Sequence, residues 1–125
     1  MFRAAKAIIR YNDYFFLQLR DNKNNIPYPN RWAFFGGRLL ANEKPQTGLI
    51  REIKEELSYL LDKPQEFYQW YNPETYTKII YFIVEMGKKE KFSNVKEGQK
   101  GKWFNKFDLE IIPIAPDIRA VKSLL

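Results

Sequence analysis

The sequence predicts a mixed β-sheet with helices packed on it, and three observations carry that prediction. Alternating aliphatic, β-branched and aromatic residues fill stretches in both halves of the chain. Between them, from Pro45 to Leu61, the apolar period changes to steps of three and four. A second, shorter helical pattern closes the chain after Pro116. Strands, one long helix, more strands and a terminal helix define an α/β (α+β) class. With 125 residues, 45% of them hydrophobic, the chain suits one domain spanning 1–125.

Each element has a local reason. Arg3–Arg10 and Tyr14–Arg20 read as a hairpin because Asn12-Asp13 is a turn signal between two strand-like runs. The Asn- and Pro-rich stretch Asp21–Asn30 reads as a loop. Trp32–Phe35 reads as a short strand ended by the pair Gly36-Gly37. In the helix Pro45–Leu61, Leu49, Ile50, Ile53, Leu57 and Leu60/Leu61 share one apolar face. Pro45 suits its first turn and Pro64 lies just beyond its end. Gly48 opposes the helix by about 1 kcal/mol relative to Ala. Glu66–Tyr71 and Thr75–Met86 read as strands around Asn72-Pro73, Gly87–Gly101 as a charged loop, and Lys102–Phe104 as a last strand. Pro116 opens a helix running to Leu125.

Composition removes whole classes of chemistry. There is no cysteine and no histidine, which excludes disulfides, thiolate metal sites, Cys or Ser/His nucleophilic catalysis and imidazole acid–base work. Twenty-one Lys and Arg against 15 Asp and Glu leave a net charge of +6, which suits phosphate-bearing partners or simply a solubilising surface. The longest apolar run, Ile79–Val84, is far short of the ~18 residues that span a bilayer. No membrane association is expected, and a cytoplasmic location is.

The chemistry concentrates on the central helix. Glu52, Glu55 and Glu56 stand three and four residues apart and are expected to project away from the leucine face. Like charges at those spacings cost about 0.2–0.5 kcal/mol per pair, and only Arg51, within reach of Glu55, relieves them. Clustered hard oxygen donors fit Mg²⁺, with Mn²⁺ as the alternative. An acidic solvated face is the competing explanation when EIKEE is taken alone.

The longer string Gly37–Tyr59 decides between them. Gly37, Glu43, Arg51, Glu52, Ile53, Glu55 and Glu56 fall at the spacing of the Nudix box, and the chain therefore resembles the Nudix hydrolase family. Ser58 stands where that box has a helix-ending glycine, so the helix is free to run on toward Leu61. The resemblance implies an α/β/α sandwich with a mixed sheet between helices. VKEGQKGKWF, Val95–Phe104, is similar to the MutT-type pyrophosphohydrolases and implies that Glu97 joins Glu52, Glu55, Glu56 and the Gly36 carbonyl as metal ligands. It also implies phosphate contacts for Arg20 and Arg38, and a Glu43–Arg51 pair that fixes loop to helix beside Gly37. Glu52 is the implied general base, with Glu56 and Glu97 as alternatives.

The implied activity is metal-dependent cleavage of a nucleoside diphosphate derivative, foremost a nucleoside triphosphate to monophosphate and pyrophosphate. A nucleotide sugar, an RNA 5′ end and a nonenzymatic nucleotide-binding module are the alternatives. Other nucleic-acid binding is not expected, and a homodimer is compatible with the sequence. The residue that reads an oxidised purine in MutT-type enzymes has no counterpart: Pro116, lacking a side-chain donor or acceptor, stands there, followed by Asp117.

Overall fold

Strands β1 (Phe2–Tyr11) and β2 (Tyr14–Leu19) form the expected hairpin, with Asn12 at φ 50°, a left-handed position that asparagine tolerates. The computed structural model describes residues 1–92, 95, 98 and 100–125. The two strands stay paired only at Arg10–Phe15 and Tyr11–Tyr14, then diverge. Into the opening comes β4 (Phe35–Arg38), antiparallel to β1 at Ala4–Ala7, while β3 (Trp32–Ala33) pairs with the end of β2. On its other edge β1 runs parallel to β6 (Thr77–Glu85), which pairs antiparallel with β5 (Gln65–Asn72). The last strand, β7 (Lys100–Asn105), lies against β2.

The alternation along β1 sends Ala5, Ala7 and Ile9 to one face and Ile8 to the other, as a pleated strand must. Helix α1 (Pro45–Leu57) covers the first face with Leu49, Ile53 and Leu57, packed on Phe35, Ile80 and Phe82. The second face is covered by a 3-10 helix (Lys106–Glu110) and α2 (Pro116–Val121), through Leu109, Ile118 and Val121 against Phe34, Tyr81 and Phe104. Helices thus lie on both faces of a mixed sheet, the expected α/β/α arrangement. Among the described residues no helix is long and apolar enough to cross a membrane.

Several boundaries differ from expectation. The glycine pair does not end a Trp32–Phe35 strand. The chain breaks at Phe34, and both glycines lie inside β4, because pairing with β1 rewards an extended glycine backbone that few side chains would fit. Helix α1 stops at Leu57 rather than Leu61. Ser58 takes the left-handed cap itself (φ 53°, ψ 36°), its N–H donating to the Lys54 carbonyl at 3.0 Å, so the missing glycine does not extend the helix. Leu61 still returns to the core, whereas Leu60 is exposed. The terminal helix ends at Val121 and tightens into a 3-10 turn, Lys122–Leu124. The 3-10 helix Lys106–Glu110 was not expected from periodicity, although its capping box, Asn105 with Asp108, is a local sequence feature.

Candidate active site

The site begins with the glycines. Gly36 has φ 147° and lies so close to β1 that a Cβ would stand 2.0 Å from the Ala5 carbonyl oxygen; no other residue fits there. Gly37 has ordinary backbone angles, but its missing side chain leaves the space that the Glu52 carboxylate occupies. A Cβ at Gly37 would come within 2.5–2.8 Å of that carboxyl group. β4 and α1 are therefore brought together where one carries exposed backbone and the other an acid.

The loop between them is fixed at both ends. Arg51 grips Glu43 with two hydrogen bonds, Nε to Oε2 and Nη2 to Oε1, each 2.9 Å, and Glu43 Oε1 also accepts the Leu40 N–H at 2.9 Å. These contacts hold the Glu43 carboxyl down to about 2 and push the Arg51 guanidinium above its usual range. From β1, the Arg3 guanidinium donates to the Leu40 and Glu43 carbonyls. The mid-helix glycine follows from the same packing, since a Cβ on Gly48 would meet Leu39 Cδ2 at 2.2 Å and Glu43 Oε1 at 2.8 Å. Gly48 is needed for contact of loop with helix.

The three helix acids do not share one solvated face. Glu52 accepts Arg51 Nη1 at 2.9 Å and Glu55 lies 3.5 Å from the same nitrogen, with its side chain 60% exposed. Glu56 instead turns inward and is only 3% exposed, its position falling beside the leucine stripe, three residues after Ile53 and next to Leu57. Among the described residues no three acidic side chains gather closely enough to hold an ion, and Glu97 lies outside the described residues. The donor types nevertheless suit a hard cation: the Glu52 carboxylate lies against the Gly37 cradle, and Glu56, one turn on, adds a second carboxylate.

Where β2 has left β1 and β4 enters beside β1, a cleft of about 450 Å³ opens. Arg20, Gly36, Gly37 and Arg38 all line it, so an arginine at the end of β2 is brought to the same wall as the consecutive residues of β4. The Arg38 guanidinium lies over the Phe2 ring, 3.9 Å from its centre, and Arg20 Nε donates to the Pro27 carbonyl at 2.9 Å. Both cations are thereby positioned. The loop between β2 and β3 roofs the cleft. Tyr28 ties it to the β5–β6 turn, its hydroxyl donating to Glu74 at 2.8 Å and accepting from Asn72 Nδ2 at 3.0 Å.

The floor holds Lys6, Gln18 and Asp117, which sequence reasoning did not place in the site. Burial pushes the Asp117 carboxyl up, against the opposing pull of Lys6 and two backbone N–H donors. A signal existed for Lys6: it is the one charge in the run AAKAII, Ala4–Ile9, where alternation calls for an apolar residue. For Asp117 no local pattern points inward.

Comparison with known proteins agrees with this geometry. The profile of the NUDIX domain matches residues 1–124. An 8-oxo-dGTP diphosphatase from Haemophilus influenzae is 30% identical over 111 residues, covering 86% of this chain and 79% of the relative. Among solved structures, a MutT NUDIX hydrolase from Burkholderia pseudomallei superposes with a TM-score of 0.82 at 17% identity, covering 98% of this chain and 95% of that one. A MutT protein from Methanosarcina mazei Go1 does so with 0.78 at 20% identity, covering 98% and 91%. At those identities the structural matches speak for the fold.

Proposed function

This chain belongs to the NUDIX family and is a Nudix hydrolase, and we propose that it cleaves nucleoside triphosphates to monophosphate and pyrophosphate with Mg²⁺. One observation carries the reading: a single cleft joins two positioned arginines and a glycine backbone, suited to phosphates, to an enclosed polar floor, suited to a base. Its phosphate wall abuts the Glu52 carboxylate at Gly37.

In this reading Glu52, Glu55, Glu56, the Gly36 carbonyl and Glu97 would hold the cation. When bound, such an ion supplies Lewis acidity toward the phosphoryl oxygens and the attacking water. Arg20 and Arg38 bind the phosphate chain and offset the charge that grows on the departing diphosphate. Glu52, held by Arg51, accepts the proton of the attacking water at a carboxylate oxygen. The Glu43–Arg51 pair does no chemistry and keeps Glu52 aimed. The β2–β3 loop, tied down by Tyr28, limits water around the nucleoside.

The test is a panel of nucleoside triphosphates, 8-oxo-dGTP, dinucleotides and nucleotide sugars with Mg²⁺, with nucleoside monophosphate formation as the readout and pyrophosphate as the second product of the triphosphates. At least one triphosphate should be cleaved to the monophosphate, and Glu52→Gln and Glu56→Gln should each abolish cleavage. A wild type that binds nucleotides tightly yet cleaves none would overturn the reading in favour of a binding module.

A further inference from the structure

The net charge of +6 is not spread over the surface. Residues 87–106 contain seven lysines and two glutamates, so these twenty residues carry five of the six net positive charges and the rest of the chain is close to neutral. Folding gathers the lysines further. Trp103 Nε1 donates to the Glu90 carbonyl at 3.0 Å, and Phe92 packs on Phe16 with ring centres 4.6 Å apart, which ties residues 87–92 to β7 and β2. Lys89 Nζ lies 3.5 Å from the centre of the Tyr14 ring, at the start of β2. On β7, Lys100 and Lys102 alternate with Gly101 and Trp103 and so share the face of Phe104, whose ring centre is 5.2 Å from Lys102 Nζ. Lys106 follows as the first residue of the 3-10 helix, and next to it Phe107 is 78% exposed.

Lys88, Lys89, Lys91, Lys100, Lys102 and Lys106 are all exposed, and among the described residues none of them forms an ion pair. The nearby acids are engaged elsewhere: Asp108 accepts the Asn105 N–H at 3.1 Å, and Glu110 pairs with Lys122 at 3.0 Å. The row also has a direction. β7 runs antiparallel to β2 with Lys100 in register with Leu19, and Gly98 lines the cleft together with Arg20. From that rim the lysines follow β7, which pairs only with β2 among the described strands, for six residues or about 17–20 Å. Lysine also guards an open sheet edge against pairing with another chain. That purpose does not explain the placing of the charge, because the opposite edge, β5, exposes Phe67, Tyr68 and Tyr71 and has no lysine.

We propose that this track binds single-stranded nucleic acid, with the sugar-phosphate backbone along Lys100, Lys102 and Lys106 and one base stacked on Phe107. A row of unpaired ammonium groups on a single strand suits a linear polyanion, and an exposed aromatic ring beside it takes any base on its face. An anionic membrane calls for a plane of charge. Here the lysines wrap one edge, Lys100 and Lys102 on the face of Phe104 and Lys89 against Tyr14, which shares the α1 face with Phe16. The total charge gave no reason to expect nucleic acid beyond an RNA 5′ end, whereas its placement does. Binding along the track needs no triphosphate and no hydrolysis, so it stands apart from the catalytic reading.

The experiment follows the fluorescence anisotropy of a labelled oligo(U) of about 12 nucleotides with a 5′-hydroxyl end, without divalent metal, between about 50 and 200 mM salt. A duplex of the same length and phosphatidylserine vesicles are the comparison ligands. Wild type should bind the single strand more tightly than either, with log K falling against log salt at a slope of about −2 for three phosphates held. Lys100→Gln combined with Lys102→Gln should weaken binding and flatten that slope by about 1.4. Phe107→Ala should cost about fivefold or more in affinity and leave the slope unchanged. Lys54→Gln combined with Lys63→Gln, exposed lysines outside the track, should change neither. Absent binding, a duplex or vesicle held as tightly as the single strand, or equal losses in the track and control pairs would overturn the proposal. Thermal melts check folding, and if a variant fails to fold, the slope and the single-strand preference of wild type decide alone.

Discussion

Adding one methyl group at Gly37 should disable the enzyme while leaving it folded. The Cβ of Gly37→Ala would meet the Glu52 carboxyl atoms at 2.5, 2.6 and 2.8 Å, and ordinary contact begins near 3.4 Å. The carboxylate must therefore retreat by about 0.9 Å, against its 2.9 Å bond to Arg51. A misplacement of about 1 Å at a reacting group costs about 10²-fold in rate, or ~2.7 kcal/mol of transition-state stabilisation. Stability should change little, because the obstructing atoms are the end of a flexible side chain and Gly37 has no left-handed backbone angle. The assay is steady-state triphosphate hydrolysis with Mg²⁺ beside a thermal melt. A kcat within threefold of wild type, at unchanged melting temperature, would refute the placing of Glu52 in the chemistry. Gly36→Ala is the contrast: its Cβ would strike the Ala5 backbone at 2.0 Å, so it should not give folded protein.

Ser58→Gly should stabilise the chain by about 0.5–1 kcal/mol, because glycine removes the side-chain penalty of the left-handed cap and loses only part of it to unfolded-state entropy. A thermal melt should rise by roughly 2–4 °C, and a fall would contradict the cap assignment. Glu43→Gln should remove a pH-dependent share of stability. The Glu43 carboxyl is held at about 2, below its ordinary 4.5, so its contribution is full above pH 4.5 and is lost as pH falls toward 2. Denaturant titrations should show the gap between wild type and variant close over that window, and a gap of constant size would argue against the Arg51 pairing as its source.

Much of this molecule is written in local pattern. Period-two and period-three-to-four hydrophobicity marked the hairpin, α1, β5 and β6, because which face a residue presents depends only on its own element. The Gly37–Glu56 string marked the loop–helix unit, since its parts are bound to each other at short range, Glu43 to Arg51 and Glu52 to Gly37. The boundaries that shifted were those set by neighbours. β4 exists because β2 leaves β1 after two residue pairs and exposes a strand edge. Glu56 is buried, although a count of helical positions groups it with Glu52 and Glu55 away from the leucine face.

By itself, then, the amino-acid order determined the sandwich of sheet and helices and the family's acidic helix. Only the tertiary structure assembled the cleft, bringing Gln18 from β2, Arg20 from just beyond it, Lys6 from β1, Gly36–Arg38 from β4 and Asp117 from α2 to one wall and one floor. The physical reason is separation along the chain. Phe34 and Asp117 are 83 residues apart and share a 3.0 Å hydrogen bond, and no local propensity encodes a contact whose geometry is fixed by everything packed between them.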